Sequence, residues 1–208
     1  MAMRRVAILF LTLALAGCGG SLLPSPPPPP NLYRLSPTQS APADDPPITA
    51  QILVGSIAAP GALDTARIAL SPSTTRLEYY ADAEWTDRAP ALVENLLLDA
   101  LTHAGRFSRV ARRSLALRAD YVVLGTLDHF EADYTTGTPP QVRVTIDLRV
   151  LRMPGGDIVA QRQFAAVVPA SQNTVPAVVE AFDAASHQAL RDAPAWLAGA
   201  LPRAAKRS

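Results

Sequence analysis

His129, Glu131 and Asp133 stand at alternate positions in "DHFEADY". On a strand they share one face, a spacing that offers two or three ligands to a metal or sets a base beside an acid. A fourth ligand is missing, and the next predicted strand carries Arg143 and Arg149. The simpler reading is a solvent face whose acids pair with those arginines across the strands. The chain has no nucleophile elbow, phosphate loop, HExxH helix or cysteine cluster. We therefore expect no catalytic residues, no metal and no cofactor. His103 and His187 read as ordinary surface or boundary residues of helices. The densest aromatic stretch, "RLEYYADAEWTD", lies in a chain that is only 6% aromatic, and such residues either finish a core or mark a protein interface. Alternation puts Tyr79 on the side of Leu77 and leaves Tyr80 on the side of Glu78. Tyr80 and Trp85 are the candidate partner-binding residues.

Cys18 is the sole cysteine, so a disulfide within the chain is excluded. Upstream of it, Arg4 and Arg5 precede an uncharged run from Val6 to Ala16, the basic and apolar regions of an export signal. That run is too short for the roughly 20 residues of a membrane span. Leu15-Ala16-Gly17-Cys18 resembles the bacterial lipobox, in which the thiol receives a diacylglyceryl group and becomes the first residue. Each buried acyl CH₂ contributes about 0.8 kcal/mol, so two or three chains anchor a protein almost permanently. Gly19 follows where aspartate commonly signals inner-membrane retention, which points to the outer membrane with the domain facing the periplasm.

Ten of the 20 prolines fall between Pro24 and Pro47. The run Pro26 to Pro30 predicts a polyproline II strut rising about 3.1 Å per residue. The expected division is a signal peptide at 1–17, a lipidated cysteine and Pro-rich tether at 18–47, one domain at 48–201 and a basic tail at 202–208. Of the 19 basic and 18 acidic side chains, the signal removes two arginines. Near-neutrality gives no electrostatic case for nucleic acid. With 49% hydrophobic residues, the domain is large enough to bury a real core.

Period switching then orders the elements. Asp87 and Pro90 open a helix whose apolar stripe runs through Leu92, Leu96, Leu97, Ala100 and Leu101 until Gly105 stops it. Pro176 opens a second, striped by Val178, Val179, Phe182, Ala185 and Ala189, and Pro194 should kink or end it. Gln51–Ile57 predicts a strand, and 67–70 with 76–80 a hairpin turning at Ser71-Pro72-Ser73-Thr74. The segments 121–134, 142–150 and 158–168 predict an antiparallel meander. Matching dry faces, Phe130 and Ala132 with Val144 and Ile146, sets Asp133 opposite Arg143. The fold class expected is α+β: one domain, mainly an antiparallel β-sheet with two principal helices packed on it.

These segments together resemble a known family. "PPPPPNLYRLSP" behind a lipobox, "RIALSPSTTRLEYYADAEWTDRAPALVENLLLDALTHAGRFSRV", "LRADYVVLGTLDHFEADY" and "VVEAFDAASHQAL" are similar to the ABC-type transport auxiliary lipoproteins, the PqiC-like family. The resemblance implies a non-enzymatic component of an envelope phospholipid transport system. Its implied partners are a periplasmic MCE-domain conduit and an inner-membrane ABC transporter, with self-association into a ring as a further implication. It carries no catalytic residues over. A second reading is a lipid-binding carrier, which requires an apolar cavity between sheet and helices.

Overall fold

The structure, a computed structural model, describes residues 28–38, 47–113 and 118–201. Cys18, the predicted signal peptide and the predicted basic tail at 202–208 lie outside the described residues. Eight strands and three helices follow in the order β1 (Asn31–Tyr33), β2 (Ile48–Ala58), β3 (Arg67–Ser73), β4 (Arg76–Trp85), α1 (Ala89–His103), β5 (Phe107–Arg112), β6 (Tyr121–Asp133), β7 (Gln141–Arg152), β8 (Asp157–Pro169), α2 (Val175–Leu190) and α3 (Ala193–Ala200). No described helix is long and apolar enough to cross a membrane.

The single sheet is mixed. β6, β7 and β8 form the expected antiparallel meander, and β3 with β4 the expected hairpin, its turn at Thr74-Thr75 and not at Ser71–Thr74. The remaining pairings are parallel: β2 lies between β5 and β6, β3 meets the far end of β6, and β1 runs along β4. Period-two alternation identifies a strand but not its direction. Direction is set by the crossovers, here the hairpin and α1 that separate β2 from β5. β1 and β5 escaped the sequence reading. One has three residues, and the other, Phe107–Arg112, carries Arg109 and Arg112 and lacks a clean apolar alternation.

The meander pairs Phe130 with Val144 and Ala132 with Val142. A bulge between Leu127 and His129 resets the phase of β6, so that Leu127 and Phe130 both face the core. Glu131 therefore lies opposite Arg143 and Asp133 opposite Gln141, a correction of two residues to the expected register.

All three helices cover one face of the sheet, α1 against β2 and β5, α2 against β7 and β8. α1 ends where expected, with Gly105 at φ 62° in the left-handed region that glycine adopts without strain. α2 ends at Leu190, and Pro194 opens α3, where a missing amide costs no helical hydrogen bond.

At the centre of the layer, the rings of Trp85, Phe130 and Phe182 meet at 4.8–5.7 Å between centroids. Trp85 is 1% exposed. It is core, and its assignment as a partner contact is corrected: β4 is irregular at Asp82, a non-glycine residue at φ 53°, and beyond it Ala83 and Trp85 are buried, the tryptophan ring enclosed by Phe130 and Phe182. Replacing Trp85 by alanine should cost about 3–5 kcal/mol, read as a lowered urea midpoint at unchanged slope. A loss under 1 kcal/mol would contradict its place in the core.

Candidate functional site

Two constellations stand out. The first joins the N-terminal segment to the domain. Asn31, Leu32 and Tyr33 pair with Ala83, Glu84 and Trp85, the Asn31 amide donates to the Asp82 carbonyl at 3.2 Å, and the Thr86 amide donates to the Tyr33 carbonyl at 2.7 Å. The chain then crosses to α2. There the Ser36 amide donates to Asp183 Oδ1 at 2.6 Å and the Ser36 hydroxyl to Asp183 Oδ2 at 2.7 Å. His187 Nε2 sits 3.0 Å from Ser36 Oγ and 3.1 Å from its carbonyl. A carbonyl only accepts, so Nε2 carries the proton.

Serine, histidine and aspartate thus meet, but not as a nucleophilic triad. Asp183 accepts the serine hydroxyl's hydrogen bond directly, and the His187 nitrogen that faces Ser36 is a donor, so the imidazole is not placed as the base of a triad. The cluster is a clamp, with Asp183 and His187 one helical turn apart on α2 gripping both backbone and side chain of Ser36. The expected tether is consequently not a spacer throughout: residues 31–37 are bound to the domain. Sequence reasoning placed His187 at a surface, and nothing in the sequence linked it to Ser36.

The second constellation is the groove beneath the β3–β4 hairpin, about 430 Å³, lined by His129, Glu131, Asp133, Arg143, Arg76 and Ser73 among others. The acids were expected on a solvent face, yet Glu131 and Asp133 are each 5% exposed. The hairpin and the loop after β2 roof them. His129 Nδ1 donates to Glu131 Oε1 at 2.8 Å, and Glu131 Oε2 accepts the Phe130 amide at 2.7 Å. Asp133 accepts the amide and hydroxyl of Thr135 at 2.8 and 2.6 Å and Arg143 at 2.5 Å. The expected Asp133–Arg143 pair therefore forms, on the diagonal. Arg149 pairs with Asp147 at 3.3 Å.

Burial alone would raise the Asp133 carboxyl, but the two Thr135 hydrogen bonds, with the charges of Arg143 and His129, outweigh it and hold it below its ordinary value. Both acids are consumed by partners within the protein, and no group of three or more His, Cys, Asp or Glu among the described residues is arranged to hold a metal ion. The arrangement ties the end of β6 to β7 and to the turn that follows it.

Tyr80 and Tyr134 share a hydrogen bond of 2.8 Å, and the Tyr134 hydroxyl donates to Asn173 Oδ1 at 2.7 Å, so the Tyr80 hydroxyl donates to Tyr134. Burial first, and the Tyr134 contact second, push the Tyr80 hydroxyl far above its ordinary value, which keeps it a neutral phenol. Tyr80 is half-buried, stitching β4 to the end of β6 and to the turn before α2. Tyr79 is also part-buried, its hydroxyl donating to the Ala62 carbonyl at 2.9 Å beneath the Arg67 guanidinium.

A depressed native carboxyl contributes stability that is fully present above its unfolded value near pH 4 and is lost as pH falls through its folded value. Asp133→Asn should accordingly destabilise by about 1–3 kcal/mol at pH 7. The gap to the parent should narrow as pH falls below about 4, measured by denaturant unfolding at each pH. A gap independent of pH would refute the charge-based account.

Comparison with known proteins places the geometry in context. No functionally curated protein matches the chain. A crystal structure of protein XCC0632 from Xanthomonas campestris, of the DUF330 family, is 27% identical, with a TM-score of 0.75 over 82% of this chain and 95% of that one. A crystal structure of an uncharacterized protein, 16% identical, shares the fold at a TM-score of 0.63 over 82% of this chain and 99% of that one. The family model for the ABC-type transport auxiliary lipoprotein component matches residues 33–193, from the strap that β1 begins to the start of α3. The chain belongs to the ABC-type transport auxiliary lipoprotein family.

Proposed function

We propose that the protein is the outer-membrane component of an envelope phospholipid transport system. Acylated Cys18 holds it to the outer membrane, and the domain, facing the periplasm, binds an MCE-domain conduit served by an inner-membrane ABC transporter. The family match over residues 33–193 carries this reading. The same match suits a binding role in place of turnover, and the Ser-His-Asp cluster found among the described residues is spent on a clamp.

The strap sharpens the proposal. Between Cys18 and Asn31, where β1 begins, lie thirteen residue steps, which at no more than about 3.6 Å each bound the reach to about 47 Å. A free tether to residue 47 would have more than twice that length. Docking of residues 31–37 thus keeps the domain close to the bilayer, where a conduit must end. Self-association into a ring is a further part of the proposal. Of the two aromatics predicted to meet a partner, Tyr80 remains a proposed contact, since its ring is only half covered.

The carrier reading fares less well. It requires a cavity between sheet and helices, and that layer is filled by Trp85, Phe130, Phe182, Ile146, Leu148 and Leu197, each at most 1% exposed.

Affinity purification of the full-length lipidated protein from its own envelope in mild detergent, with mass spectrometry, tests the proposal. An MCE-domain protein should co-purify and should be depleted several-fold by Tyr80→Ala in protein that still folds. Stoichiometric phospholipid with no protein partner would overturn the adaptor reading. Ser36→Ala together with Asp183→Asn should speed amide exchange at Tyr33 at least tenfold without lowering the unfolding midpoint of the domain. Unchanged exchange would show that the clamp does not hold the strap.

A further inference from the structure

Leu53 and Val122 are direct register partners on the parallel strands β2 and β6. They are 5% and 3% exposed, yet they stand apart from the main core cluster, because Ile52, Val54 and Val123 take the helix-covered face. Buried apolar residues on the sheet's other face form a second, small hydrophobic surface. Beside it lies a cavity of about 520 Å³ whose lining includes Leu53, Val122, Met153, Pro154, Arg113 and Arg118. That volume suits a small-molecule ligand.

The lining divides by chemistry. Leu53 and Val122 form an apolar floor, and Met153, 36% exposed, overhangs it from the β7–β8 turn. Methionine at such a position adapts to apolar ligands of irregular shape. Arg113 and Arg118 supply two positive charges and have no hydrogen-bond or ion-pair partner among the described residues. The acid beside them in sequence, Asp120, accepts the Gln51 amide at 2.8 Å.

The geometry points to a binding site for a single-chain anionic amphiphile: a phosphate-headed lipid whose head meets Arg113 and Arg118 while its acyl chain lies over Leu53 and Val122 and under Met153. Guanidinium groups are suited to phosphate because their planar fork offers two parallel donors. This inference deepens the transport reading and rests on it for the identity of the cargo. It differs from the carrier reading in place, since the ligand lies on the open face of the sheet and not between sheet and helices.

Position adds to the case. The strap pairs with β4 at Ala83–Trp85, and β4 joins β6 through β3, at Ala132 and Asp133, whereas the cavity sits at Val122. Ten residues of β6 separate that junction from the cavity, about 33 Å. The strap and the amphiphile site therefore lie on different strands of the sheet, and a docked strap leaves the site uncovered.

The test uses the full-length lipidated protein in nonionic detergent, a dodecyl phosphate carrying a diazirine near the end of its tail, and a maltoside-headed probe of the same tail. Photolabelling and peptide mass spectrometry should place the phosphate probe on peptides containing Leu53, Val122 or Met153, at least ten times more strongly than the neutral probe. Arg113→Glu with Arg118→Glu, both at exposed positions, should remove that preference while circular dichroism stays unchanged. Inorganic phosphate at millimolar concentration should not displace the probe; displacement would reveal a site for free phosphate and overturn the lipid assignment. Equal labelling by the two probes, or labelling elsewhere, would also overturn it. Co-purification of the conduit in the double variant separates the two proposals. Retained conduit with lost labelling supports the site, and lost conduit with unchanged labelling makes the arginines a protein contact instead.

Discussion

Trp85 is held from two sides at once. Its ring packs edge-on against Phe182 of α2 and tilted against Phe130 of β6, while its amide donates to the Ala66 carbonyl at 2.6 Å and its Cα pairs with that of Tyr33. Aromatic contacts of this kind add about 0.5–1.5 kcal/mol beyond the area they bury. The geometric consequence matters more than the energy. Because the ring must point into the helix-covered layer, β4 must bend at Asp82, and the bent strand offers its edge to β1. The strap therefore docks on a strand whose position is set by the core, and the clamp at Ser36 fixes its direction.

The same filling of the core decides where function can reside. A sheet whose helix-covered face is closed by three interlocking aromatic rings has no interior to lend to a ligand. What remains are edges, the two ends, and the open face. On that face the end of β6 near the strap is roofed and neutralised, since Glu131 and Asp133 are each satisfied by neighbours. The other end is apolar and positively charged. A charged pair satisfied internally gives little to a partner. Arg113 and Arg118 have no such partner among the described residues.

Much of this was legible before the structure. The helix limits followed from Pro90, Gly105, Pro176 and Pro194, because proline and glycine act locally through φ and the missing amide. The meander followed from clean alternation in β7. What failed depended on distant residues. The parallel pairings are set by crossovers that no window of sequence contains. Trp85 was misread because the sequence does not show what covers the end of β4: alternation counted from Tyr79 puts Trp85 on the same side as Tyr79, and only the rings of Phe130 and Phe182, from β6 and α2, make it core. The burial of Glu131 and Asp133 arises from a hairpin more than fifty residues earlier in the chain. The clamp joins Ser36 to α2 across nearly the whole domain, and in the sequence His187 is only a polar residue on an amphipathic helix.

A lipid anchor by itself restrains a domain in distance but not in orientation. The strap changes that. A chain attached at one point pivots freely, whereas one attached along β1 and again at Ser36 leaves the domain in a defined direction, with three consecutive strand residues and a side-chain clamp resisting rotation. Loop-closure entropy rises only slowly with length, about 0.6 kcal/mol per doubling, so shortening the free segment changes stability little. It acts on geometry. Fewer residues between anchor and first contact confine the domain to a thinner shell above the membrane, and the effective concentration of any partner ending in that shell rises accordingly. On this argument the clamp serves the proposed anchoring: it shortens the free part of the tether, and a weak surface contact becomes sufficient because it is made within a confined volume.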